Sequence, residues 1–357
     1  LDSSWISSNG EFITKFEDLF AKQVGARHGI ACCNGTVALH SALLAAGVEP
    51  GDEVMVPALT YIATANAVRY CNATPVLVDA DPGTWNLDPN QLEDLVTTRT
   101  RAIIPVHIYG HPTDMGPIRE IASRHGLVVI EDAAEAHGAT YHGQGIGSLG
   151  DLATFSFYGN KIITCGEGGM VTTSSAEIAD RVRLLRGQGM DPVRRYWHPI
   201  VGYNYRMTNL AAAIGLAQTE QIDWHLARRR EVAEWYHRHL ADLEDLIQLP
   251  VEMPWARHAY WMYSVIVRDA DRAARDTLMA RLLADGIETR PFFYSLQELP
   301  PYADATGTFE VATRLSGQGI SLPTHAGLNE EDVAYVCSRL RVFCQQRVTG
   351  LLVAAAN

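Results

Sequence analysis

Lys161 is the residue at which chemistry is easiest to place. Among the 29 basic residues only Lys15, Lys22 and Lys161 are lysine, and the other 26 are arginine. Lys15 and Lys22 fall on an amphipathic segment whose apolar face is Phe12, Phe16, Leu19 and Phe20. There they form i,i+4 pairs with Glu11 and Asp18. Lys161 has no such partner in SFYGNKIITCGEGGM (156–170), a stretch of apolar and glycine residues. An amine desolvated there falls below its reference pKa of about 10.4 and becomes a nucleophile toward an aldehyde. The plainer reading is a lysine snorkelling from a strand edge. Two further features have the same double character. In LVVIEDAAEAH (127–137) four apolar residues lead into Glu131-Asp132. This places a carboxylate at the carboxyl end of a buried strand, where open α/β sheets bind ligands. It either holds a proton on a heteroaromatic nitrogen or caps the next helix; no His/Asp/Glu set at metal-ligand spacing accompanies it. In CCNGTVALH (32–40) an Asn-Gly-Thr step opens a helical pattern, which is either a phosphate site or an ordinary N-cap turn. No Gly-Lys-Ser/Thr step occurs, so there is no Walker loop.

The elements that must position these groups alternate. Strands are expected at 53–56, 75–79, 102–107, 127–132, 153–157 and 170–173, with helices at 36–46, 61–70 and 115–125 between them. Near-continuous apolar strands alternating with helices predict an α/β lobe with a mostly parallel sheet. Helices follow at 176–186 and 209–236, the latter read as a solvated connector because of Arg228, Arg229 and Arg230. A smaller α+β lobe is expected from 249 to 357, after a large one over 1–248. It should contain a strand at 260–267, a helix at 273–285 closed by Gly286, an extended piece at 288–291, and a last helix capped by Asn329.

Composition limits the partners. At 357 residues, 47% hydrophobic and 20% charged, the chain is that of a globular protein. Its net charge of −12 argues against nucleic acid or an anionic membrane. Cysteines 32, 33, 71, 165, 337 and 344 are too irregular for a disulfide framework or a zinc site. No apolar run reaches a membrane span and no signal peptide is visible, so a cytoplasmic enzyme is expected. The segment 194–207 is aromatic and basic, suiting either a nucleotide diphosphate or a loop whose aromatics cover a partner subunit.

A helix start for phosphate, a strand-end carboxylate and a buried amine are the minimum set for pyridoxal 5′-phosphate (PLP). The ordered motifs NGTVAL, PALTY, EDAAEAHGA, SFYGNK, GEGG and GYNYRM, from 34 to 207, closely resemble those of the sugar-nucleotide aminotransferases among the fold-type I PLP enzymes. The likeness extends over nearly the whole chain and implies an aspartate-aminotransferase-like fold. It further implies that Lys161 carries the cofactor covalently and shuttles a proton, Asp132 pairs with the pyridine nitrogen, and Glu135 lies near the phenolic oxygen. Tyr61 would stack on the ring, and Gly35, Thr36 and Ser156 would bind the phosphate. Asn204 would reach the cofactor of the neighbouring subunit, making a homodimer with shared sites. Trp5, His107, Arg206, Arg290 and Tyr294 are candidates around the sugar. WIS at 5–7, RYWHP at 195–199 and TRPFF at 289–293 look most like the members that aminate GDP-4-keto-6-deoxymannose at C4, with L-glutamate as donor and pyridoxamine phosphate as the intermediate cofactor form. Cys33 stands where relatives carry Ser, and Ser295 where they carry Pro. A related dehydratase subgroup has His at the lysine position, against which Lys161 argues. A dTDP- or UDP-linked substrate, a dehydratase, and a non-catalytic binding protein are the alternative readings.

Overall fold

The computed structural model describes residues 4–355. In chain order the elements are α1 (Glu11–Val24), β1 (His28–Cys32), α2 (Gly35–Ala45), β2 (Glu53–Pro57), α3 (Ala63–Tyr70), β3 (Thr74–Val78), α4 (Leu92–Leu95), β4 (Thr100–Ile103), α5 (Met115–His125) and β5 (Val128–Asp132). A hairpin, β6 (Thr140–Tyr141) and β7 (Gln144–Gly145), precedes β8 (Leu152–Ser156), β9 (Gly169–Thr173), α6 (Ala176–Arg186), α7 (Asn209–Thr219) and α8 (Ile222–Leu240). Then come β10 (Ile247–Gln248), β11 (Ala256–Arg257), β12 (Tyr263–Val267), α9 (Arg272–Ala284), β13 (Arg290–Pro291), α10 (Glu310–Gln318), β14 (Gly319–Leu322) and α11 (Glu330–Ala355).

Seven strands form the main sheet in the order β1-β9-β8-β5-β4-β2-β3. From β8 to β3 all neighbours are parallel, and β9 runs antiparallel to both β8 and β1. The sheet is therefore mostly parallel, as expected, with helices on its faces. Its strands are buried nearly throughout, β2 and β9 at every residue, which is why they read as apolar runs instead of alternating ones. A four-stranded sheet, β10-β12-β14-β13, carries a second core of its own. That core includes Val232, Tyr236 and Leu240 from the second half of α8, together with β12, α9 and α11. Phe292, Leu296 and Leu315 instead pack with the large core.

Four local expectations are corrected. The helix expected over 209–236 is two helices, broken at Glu220-Gln221. The buried positions Ala212, Gly215, Thr219, Ile222, Leu226 and Arg229 keep one phase across the break, so periodicity alone does not reveal it. Its arginines are not a solvated run. Arg229 is buried and donates to the Trp261 and Thr324 carbonyls at 2.8 and 2.9 Å. Arg228 holds the Leu328 carbonyl at 2.8 Å and Arg230 that of His258 at 2.9 Å. The strand expected to reach His107 ends at Ile103, where Pro105 lacks the N–H to continue the ladder. The strand expected from Tyr260 begins at Tyr263, because Tyr260 is left-handed (φ 48°). Sequence reading also missed the edge strand β1. Among the described residues no helix is long and apolar enough to cross a membrane, and no group of His, Cys, Asp and Glu side chains is arranged to hold a metal ion. None of the six cysteines is joined in a disulfide.

Candidate functional site

The start of α2 is built by Asn34, whose extended backbone and side chain cap the helix by accepting the Val37 N–H at 3.0 Å. Gly35 follows because there is no room for more: a Cβ there would lie 2.8 Å from Ser156 Cβ. The first turn of an eleven-residue helix thus abuts the end of β8, with no carboxylate in that turn to oppose an anion.

Strand alternation separates the two carboxylates at the end of β5. Glu131 turns into the core. It accepts the Gly147, Leu149 and Gly150 N–H groups at 3.1, 2.8 and 2.8 Å and faces His107 Nε2 at 3.1 Å. Asp132 turns to the cavity. Its Oδ2 accepts the Thr64 hydroxyl at 2.8 Å and its Oδ1 the Ala134 N–H at 3.2 Å. Burial raises the Asp132 carboxyl above its ordinary value; the Thr64 and Ala134 hydrogen bonds and the Lys161 charge oppose this. Glu135 is pushed up by burial as well, against Lys161 and the Tyr109 N–H, which it accepts at 2.6 Å.

Lys161 lies in the loop from β8 back to β9, a loop fixed where Phe157 N–H donates to the Gly168 carbonyl at 2.8 Å and Cys165 N–H to the Phe157 carbonyl at 3.0 Å. Burial lowers the amine from its ordinary range, while Glu135 and Asp132 hold it up. Its Nζ stands 3.9 Å from the centroid of the Trp261 ring.

These parts meet in one cavity of about 680 Å³ whose wall includes Gly35, Thr36, Tyr61, Asp132, Glu135, Ser156, Lys161 and Arg290. A phosphate, a ring nitrogen and an aldehyde carried on one small aromatic ring would each find a matching group here: the α2 start with Ser156, Asp132, and the Lys161 amine. The residues present therefore fit PLP. Four residues expected around the sugar are not on this wall, and Asn204, expected to serve the neighbouring subunit's site, is not on it either. His107 is fully buried, held between Glu131 and the Thr113 N–H, and is a structural histidine instead of a sugar contact. Tyr294 lies beneath the Arg272 guanidinium, 4.6 Å away. Trp5 is largely exposed, Asn204 is exposed, and Arg206 Nε donates to Asn204 Oδ1 at 3.1 Å. Sequence reasoning missed Thr64, Tyr109, Asn160 and Trp261. Thr64 is three residues after Tyr61, a signal that was available; nothing local links Trp261 to Lys161. A second cavity of about 690 Å³ adjoins the first through Asn160, Lys161, Met262, Arg290 and Ser321.

The pattern of the DegT/DnrJ/EryC1/StrS aminotransferase family matches residues 1–341. The chain is 57% identical over 341 residues (95% of this chain, 92% of the relative) to a protein of Caulobacter vibrioides named GDP-perosamine synthase. It is 47% identical over 343 residues (96% and 93%) to one of the same name from Escherichia coli O157:H7. Among solved structures it resembles S. venezuelae DesV in complex with a ketimine intermediate, with TM-score 0.91, 38% identity and coverage of 96% and 91%. It also resembles the PLP form of Spr1654 from Streptococcus pneumoniae, with TM-score 0.91, 26% identity and coverage of 96% and 93%.

Proposed function

The chain belongs to the DegT/DnrJ/EryC1/StrS aminotransferase family, and from that premise we propose that it is a PLP-dependent aminotransferase converting GDP-4-keto-6-deoxy-D-mannose to GDP-perosamine with L-glutamate as donor. The observation that carries this reading is the convergence of the Lys161 amine, the Asp132 carboxylate and the α2 start on one cavity. The relatives named GDP-perosamine synthase support the nucleotide sugar. When bound, PLP supplies an amine-accepting carbonyl and a ring that stabilises a carbanion next to nitrogen.

The chain's own groups do the rest. Lys161 would hold the cofactor covalently and, when free, would carry a proton to and from the reacting carbon, a role that a lowered amine pKa serves near neutral pH. Asp132, steadied by Thr64, holds a proton on the ring nitrogen. Glu135 and Tyr61, both on the cavity wall, would hold the ring oxygen and the ring face respectively. The amides of Gly35 and Thr36 with the Ser156 hydroxyl bind the phosphate at the helix N-terminus. Arg290, lining both cavities, is suited to an anionic part of the substrate. Lys161 also disfavours dehydration, since that subgroup carries His at this position.

The assembly in this reading is a homodimer in which Asn204 and its neighbours serve the adjacent subunit's site. Val193 (92% exposed), Val201 (87%) and Tyr196 (75%) give that surface its apolar character. A cytoplasmic setting, in which the six thiols stay reduced, belongs to the same reading, as does a division into two lobes in which the smaller one draws on α8 and β10, ahead of the expected boundary at 248/249. The test is to supply GDP-, dTDP- and UDP-linked 4-keto sugars with glutamate and follow both 2-oxoglutarate and the amino sugar. Turnover preferring the GDP-linked sugar is expected. A preference for another nucleotide, or amine transfer to C3, overturns the substrate assignment; no transfer from any amino acid overturns the activity.

A further inference from the structure

Trp261 touches the one residue on which the proposed chemistry turns, and its own placement is over-determined. Its indole face lies 3.9 Å from Lys161 Nζ. Its Nε1–H donates to the Asn160 carbonyl at 2.8 Å, next in sequence to that lysine. Its own carbonyl is held by Arg229 at 2.8 Å. The ring lies nearly parallel to Tyr109, 16° between planes and 6.4 Å between centroids. The backbones cross closely: Ala259 N–H donates to the Gly110 carbonyl at 2.9 Å, and Met262 N–H to the Tyr109 carbonyl at 3.3 Å. Gly110 has φ +105°, and a Cβ on it would lie 2.9 Å from Trp261 N. On the two sides of the crossing Tyr109 (φ 53°) and Tyr260 (φ 48°) are both left-handed, a conformation that bulky side chains rarely adopt. Unfavourable backbone held by many surrounding contacts clusters where a side chain must be aimed.

We propose that Trp261 is a positioning residue: its indole face receives the Lys161 ammonium whenever the amine is not joined to the cofactor, keeping it charged and held at one place on the cavity wall. The timing rests on the aminotransferase reading; the contact itself does not. An ammonium over an indole face is attracted by the ring quadrupole, more strongly when both are out of water. Around this pair stand Asp132 and Glu135 from the β5 side, His137 beneath, Glu167 from the returning loop, Arg229 from α8 and Arg290 from β13. The two carboxylates favour the ammonium through their charge, without an ion-pair contact that fixes its direction. The ring adds attraction with a fixed direction and draws the amine to one place.

The readout is the protonation midpoint of Lys161. It is measured by competitive acetylation across pH with peptide mass spectrometry, on the protein loaded with the aminated cofactor, in which the amine is free. Trp261→Leu should lower the midpoint by roughly one pH unit, a tenfold rise in the neutral fraction near neutrality. Trp261→Phe, which keeps a ring but loses the Asn160 hydrogen bond, should restore most of it. Protein grown with fluorinated tryptophan keeps the shape and weakens the quadrupole, so its midpoint should lie between those of wild type and the Leu variant. This arm also serves if the Leu variant fails to fold. An unchanged midpoint in fluorinated protein, or equal drops in the Phe and Leu variants, overturns the proposal. If the protein took up no cofactor the functional reading would fail, yet the Lys161 midpoint would still be measurable in all forms.

Discussion

The Thr64 hydroxyl contributes more than any other group to steadying the Asp132 carboxylate, and this has a measurable consequence. A hydrogen bond to a charged group contributes about 1.5–3 kcal/mol, so Thr64→Val should loosen cofactor retention by about tenfold or more. The Asp132 carboxyl, already raised by burial, would rise further. The ionised form would then appear only at higher pH, and the acid limb of cofactor binding, followed by absorbance, should move upward. No movement of that limb would remove Asp132 from its assigned role. His137 makes a second test. Packed against Phe20, Phe155 and Phe157, it is lowered from 6.5 to about 3, chiefly by burial. The folded state therefore takes up no proton there while the unfolded state does, so its contribution to stability is complete above pH 6.5 and declines as pH falls. Between pH 6.5 and 5 that loss is on the order of 2 kcal/mol. Asp132 and Glu135, raised by burial, act in the opposite sense, so the comparison is with the variant: His137→Leu should lose less melting temperature than wild type on acidification. Parallel curves for the two proteins would contradict a neutral buried His137.

Between elements, the decisive feature is how closely α2 approaches β8. The side chain that capping chemistry identifies, Asn34, fixes the helix start, while the missing Cβ at Gly35 lets that start meet Ser156. Gly35→Ala should leave helix content unchanged and weaken cofactor binding by about tenfold, because the anion site is displaced while the helix persists. Reconstitution titrations alongside circular dichroism check this, and normal cofactor affinity would argue against a phosphate at α2. The expected elements were mostly in the right places. Met115–His125 and Ala176–Arg186 match their helices end to end, since Asp114 and Ser175 supply caps and Gly126 and Gly187 the stops. The break between α7 and α8 was not legible, because the buried face keeps its phase through it. Nor was the burial of Arg229, because a guanidinium saturated by carbonyls from distant loops looks, in sequence, like any surface arginine.

At the scale of the whole molecule, a shared-site dimer predicts complementation. Lys161→Ala and Asn204→Ala proteins, each impaired alone, should regain activity when unfolded together and reassembled. In the mixed dimer one site carries both defects and the other carries neither, so up to about a quarter of all sites recover. Activity no greater than the sum of the separate proteins would mean that each subunit's site is complete in itself. Sequence alone determined the chemistry's ingredients: a scarce lysine, a carboxylate ending an apolar strand, and a capped helix start. Each shows in its near neighbours: the lack of an i,i+4 partner, the burial of a run, or a cap. Only the tertiary structure decided which of two adjacent carboxylates faces the cavity, that His107 braces Glu131, and that Thr64 reaches Asp132. The same holds for the indole beneath Lys161, one hundred residues away. Such contacts depend on strand order and on how the second lobe docks, and no local pattern along the chain encodes a distance between residues that far apart.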